Sequence, residues 1–132
     1  RGIFFYTYSH IGKTEDGRRD LARVAGRLNR IYPWLLVPNA AVETPVRMVS
    51  RYGWDFEGRP AVHAAVKTRG EETLLIAVNG IGAPVEAELG WPEGERCAVV
   101  WELFGNERYP VVAGRLRVSF EAYETKAFHC TR

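Results

Sequence analysis

Residues 29–50 read NRIYPWLLVPNAAVETPVRMVS, and a change of period inside this stretch decides the fold. Up to Ile31 the apolar residues recur at helical spacing. Pro33 has no N–H and clashes with the preceding turn, so the sequence predicts that the helix ends there. Pro38 marks a second stop. From Val46 onward apolar and polar residues alternate, the period of a half-buried strand. A strand-plus-helix unit and a string of hairpins belong to different architectures. Residues 1–38 therefore look like the last piece of something larger, 39–45 like a linker, and 46–132 like a complete β-sandwich.

Working back from that break, residues 17–32 form an amphipathic helix. Leu21, Val24, Ala25, Leu28 and Ile31 make one apolar stripe, expected to pack on the sandwich, and Arg18, Arg19, Arg23, Arg27 and Arg30 occupy other faces. Asp16 is the expected N-cap. Before it, residues 3–8 (IFFYTY) are a continuous apolar run, as in strands buried on both faces of a parallel sheet. An apolar strand without its neighbours recruits another chain, so residues 1–10 are expected to pair with a second copy in a homodimer or to fold back. The chain starts without Met, as if cut from a longer one.

Working forward, strands are predicted at 46–52, 61–68, 73–79, 85–89, 97–104, 107–112, 115–120 and 124–130. Turns fall at Gly70, Gly105-Asn106 and Ala113-Gly114. Short strands at this spacing predict a mainly β fold, an antiparallel two-sheet β-sandwich of immunoglobulin-like type preceded by one strand and one amphipathic helix.

Composition excludes several functions. The 132 residues carry 18 basic and 16 acidic side chains, a net charge of +2. The basic residues are scattered among Glu, so no nucleic-acid surface is implied. No run approaches the roughly 20 apolar residues needed to span a bilayer, so no membrane span is expected. The opening RGIFF is too short for a signal peptide, which leaves cytoplasmic and secreted settings both open. Gly80, Gly82 and Gly90 follow no phosphate-loop spacing, and the three histidines lie far apart in sequence, so neither a cofactor nor a metal is expected. Cys97 and Cys130 each fall in a strand-like segment. A disulfide between them is geometrically open, but buried free thiols are the favoured reading.

Three stretches resemble the C-terminal end of bacterial glycoside hydrolases of the (β/α)8-barrel type. GIFFYTYSH (2–10) with the helix ending in NRIYPWLLVP (29–38) looks like the eighth strand and helix of such a barrel. ETLLIAVNGIGAPVEAELG (72–90) and VVWELFGNERYPVVAGRLRVSFEAYETKAFHC (99–130) are similar to hairpins of the β-sandwich that follows it. The resemblance implies a non-catalytic accessory domain that packs on and stabilises the catalytic barrel of the same polypeptide. Barrel strands one to seven have no counterpart here. The acid/base and nucleophile carboxylates lie on those strands, so no catalytic residue is carried onto this chain. The rival readings are an autonomous carbohydrate-binding module and an immunoglobulin-like protein-interaction domain.

Candidate contacts to sugar are few. Tyr8 and His10 lie at the C-terminal end of the barrel-like strand, the end that faces an active site in this architecture. Trp54 sits with Tyr52 and Phe56 in a turn-rich loop, the one stretch suited to carbohydrate, although loop anchoring is the favoured reading of these rings. Trp34 is expected as an interdomain or core anchor and Trp101 as core. Glu102 and Glu121 are placed in an outward-facing phase.

Overall fold

The computed structural model describes residues 14–42, 44–55, 57–92 and 97–131. The expected strand at 3–8, the dimer-forming segment 1–10, Tyr8, His10 and Phe56 lie outside these residues. The chain divides into two compact units, residues 1–33 and 34–132.

The first unit carries most of α1 (Glu15–Leu35). Thr14, not Asp16, caps it: the Gly17 N–H donates to Thr14 Oγ1 at 3.0 Å. Glu15 and Asp16 fill the first turn, where carboxylates oppose the helix dipole. Both pair with Arg19 on the exposed surface. The apolar stripe is uneven: Ile31 is buried and Leu28 half-buried, whereas Leu21 and Val24 are exposed. The helix also runs past Pro33 to Leu35. Pro33 forfeits the bond its N–H would make to the Asn29 carbonyl and crowds that turn, and the burial of Trp34 in the second unit holds the chain just beyond it.

The second unit is a β-sandwich of eight described strands: β1 (Val46–Met48), β2 (Val62–Arg69), β3 (Glu72–Asn79), β4 (Val85–Gly90), β5 (Val99–Glu102), β6 (Arg108–Pro110), β7 (Arg115–Phe120) and β8 (Thr125–Thr131). All pairings are antiparallel, in a three-stranded sheet ordered β1-β4-β7 and a five-stranded sheet ordered β2-β3-β8-β5-β6. The core is the alternate set of residues on the two facing surfaces. Val85, Ala87 and Leu89 of β4 and Leu116, Val118 and Phe120 of β7 meet Val66, Leu75, Ala77, Val100 and Phe128 of the other sheet. Tyr109 closes one side, its ring edge-on to Phe128 with centroids 5.3 Å apart. The two-residue connections need left-handed backbone, and Gly70, Ala113 and Gly114 all adopt positive φ.

Cys97 and Cys130 are joined by a disulfide, with Cα atoms 6.5 Å apart, which corrects the expectation of free thiols. β5 and β8 are hydrogen-bonded neighbours, so Cys97, two residues before β5, comes within reach of Cys130 near the end of β8. The bridge thereby ties the outer β5–β6 pair into the sheet.

Candidate functional site

The two sheets present unlike outer faces. On the three-stranded sheet, Arg47 pairs with Glu88 at 2.7 Å, Arg115 lies 3.7 Å from the same carboxylate, and Arg117 pairs with Glu86 at 2.7 Å. The hydrogen bond from Arg117 holds the Glu86 carboxyl below the usual carboxylate range, and Glu86 raises the guanidinium in return. This face is a solvent-exposed ladder of ion pairs.

The outer face of the five-stranded sheet mixes apolar side chains with basic and acidic ones. Residues directly opposite one another form one row across all five strands: Lys67, Leu74, His129, Trp101 and Arg108. Leu74 and Ala127 lie on this face, yet both are fully buried. Trp34 meets His129 edge-on at 5.8 Å, and the Arg69 guanidinium sits 4.8 Å over its ring. Glu72 accepts from Arg69 and lies 3.4 Å from His129 Nε2. The Arg69 hydrogen bond holds the Glu72 carboxyl below its ordinary value. Further along the row Trp101 is 43% exposed, with Arg108 stacked 4.0 Å over its ring. Trp101 is thus not core, and Glu102 is buried rather than outward. The phase of β5 is fixed by Glu102, whose carboxylate accepts from Gly105 N–H and Ala127 N–H and so closes the turn into β6. That turn takes its left-handed residue at Asn106.

One end of the sandwich is laced together by Asn79, a fully buried amide. Its Nδ2 donates to the carbonyls of Ala83 and Glu121, each at 2.8 Å, and its Oδ1 accepts from Ile81 N–H. The β3–β4 and β7–β8 connections are thereby joined, helped by Tyr123 N–H to Ile81 O. A third loop joins them through Gly80 N–H to Ala61 O, and Ala61 N–H to Gly53 O ties that loop to itself. Within it Trp54 bridges Pro60 in antiparallel fashion. Asp55 Oδ1 accepts from the backbone N–H groups of Glu57 and Arg59. The hydrogen bond from Arg59 N–H leads in holding the Asp55 carboxyl below its ordinary range. Three rings stand in solvent on this end: Tyr52 is 84% exposed, Trp54 53% and Tyr123 70%. Tyr123 lies over Gly82, where a β-carbon would meet its hydroxyl at 3.0 Å. Asn79 was invisible in the sequence as the organiser of this end, although an Asn directly before Gly at a strand end is a turn signal.

Among the described residues no three His, Cys, Asp or Glu side chains come together as metal ligands. No described helix is long and apolar enough to cross a membrane.

No protein-family model matches the chain, and no curated protein matches it. Solved structures do. AmyP in complex with maltotriose shares 15% identity over 86% of this chain, with a TM-score of 0.55. AmyP in complex with maltose shares 14% over 89%, with a TM-score of 0.57. A noncanonic maltogenic alpha-amylase, AmyB from Thermotoga neapolitana, shares 14% over 96%, with a TM-score of 0.55. The fold is therefore related to one found within glycoside hydrolases. The chain spans only 21%, 22% and 28% of these three structures, so it corresponds to a small part of each.

Proposed function

We propose that this chain is the C-terminal part of a glycoside hydrolase. Residues 1–38 are the last βα unit of its barrel, residues 39–45 the linker, and residues 46–132 a non-catalytic sandwich that packs on the barrel and stabilises it. One observation carries the reading: the inequality of the two outer faces. One face bears an exposed Trp stacked by Arg, residue types enriched where interfaces concentrate their energy, and a sandwich free in solution has no use for it. The ion-paired ladder of the opposite sheet faces water, and the Trp101 side faces the barrel. The carboxylates support the non-catalytic role. Asp55, Glu72, Glu86 and Glu88 are each engaged by an arginine. Glu102 closes a turn.

Two measurements test this. Sequencing upstream of Arg1 should reveal seven βα units with Asp or Glu at two strand ends, and any other upstream fold refutes the assignment. In the full-length enzyme, Trp101→Ala should weaken docking of the sandwich by about 2 kcal/mol, the size expected for an interfacial Trp. It should lower the enzyme's thermal midpoint while leaving activity at low temperature intact. An unchanged midpoint places the barrel elsewhere.

A further inference from the structure

The laced end of the sandwich has features that docking on a barrel does not explain. Its three exposed rings lie off the sheet face, on loops that join the two sheets. The backbone beneath them is held by a buried Asn side chain and by main-chain bonds from loop to loop. A protein interface gathers apolar groups into a continuous patch. Here the exposed rings have charged neighbours along the chain. Arg51, Glu57 and Arg59 flank Tyr52 and Trp54, and exposed Glu121 lies two residues before Tyr123. Flat aromatic faces among carboxylates and guanidinium groups suit a ligand with two characters, an apolar C–H face and a rim of hydroxyls. A pyranose ring is such a ligand, and an indole or phenol supplies large rigid area at little entropy cost.

We infer that this end is an oligosaccharide-binding site, with Trp54 stacking on one hexopyranose unit and Tyr123 and Tyr52 contacting neighbouring units. The site is not catalytic; it holds a polymeric substrate near the enzyme. The choice of a sugar as ligand rests on the glycoside-hydrolase reading above, whereas the geometry does not.

The test is titration of the whole chain and its variants with maltoheptaose, cellohexaose and a galacto-oligosaccharide, with affinities read by calorimetry and the wild-type site located by the indole N–H resonances. At least one sugar should shift the Trp54 indole saturably, with a dissociation constant of about 1 mM, the weak end of specific affinity. Trp54→Ala should weaken binding about tenfold or more. Trp54→Phe should stay close to wild type, and Tyr123→Ala should fall between them. Val112→Ala, exposed at the opposite end, should bind as wild type does. The inference is overturned if none of the three sugars gives a saturable shift, or if Trp54→Ala binds as tightly as wild type. Neither failure touches the docking proposal, which is read from the thermal midpoint of Trp101→Ala in the full-length enzyme.

Discussion

Replacing Asn79 by Ala removes a side chain that makes two hydrogen bonds of 2.8 Å and one of 3.2 Å, with nothing of the same shape left behind. A buried partner left unsatisfied costs about 1–3 kcal/mol. The three partners belong to connections at the end of the sandwich, where water reaches part of the vacated space, so the low end applies to each. The sum is about 3 kcal/mol, a large share of the roughly 5–15 kcal/mol that separates folded from unfolded chains. For a domain of this size that lowers the thermal midpoint by about 10 °C. Urea unfolding followed by tryptophan fluorescence, together with calorimetry, measures it, and the slope against urea should not change. Asn79→Asp keeps the volume but loses both donors and buries a charge, so at neutral pH it should cost at least as much. If Asn79→Ala lies within about 1 kcal/mol of wild type, the amide does not organise this end.

Further outcomes follow from the bridge and the paired carboxylates. Opening the disulfide, by reduction or by Cys97→Ser with Cys130→Ser, frees a loop closed across 33 residues. Loop-closure entropy puts the loss at about 3.7 kcal/mol, read as a lower urea midpoint under reducing conditions. Asp55, Glu72 and Glu86 all have carboxyl groups shifted below their ordinary values of 3.8 and 4.5. Groups depressed in the folded state stabilise it fully above their unfolded pKa and cease to as pH falls through the folded one. The urea midpoint should therefore be level above about pH 5 and fall below about pH 4.5, and Glu86→Gln should flatten part of that fall.

The alternating strands were legible because period two and turn chemistry agree. Val85, Ala87 and Leu89 face the core, with Glu86 and Glu88 on the wet side, as their spacing says. The residue types of β5 point to the opposite phase, since Trp favours the core and Glu the surface. A short strand has too few residues for its pattern to outvote one buried carboxylate that closes a turn, and Glu102 is such a group. Pro33 points to an earlier helix end than the chain adopts, because the burial of Trp34 at the next position outweighs the lost bond. The cysteine pairing depended on β5 lying beside β8, a neighbour relation that strand spacing alone does not determine. Trp54 was legible as a candidate, but the lacing that presents it runs through Asn79 and two distant loops, which only the assembled topology brings together.

The free edge of β2 has a consequence for how the sandwich stands alone. Open sheet edges template further strands unless short, interrupted or covered. β1 and β6 are three residues each, and β6 carries Pro110. β2 is eight residues long and lies at the edge of its sheet. What shields it is the stretch before β1: Ala40 N–H donates to Val66 O at 2.7 Å, and Lys67 Nζ reaches back to Val37 O. The segment that looks like a linker thus serves as a cover strip. A sandwich cut at Val46 would lose both bonds and leave the Val66 carbonyl open on the edge of β2, whereas one cut before Trp34 would keep them.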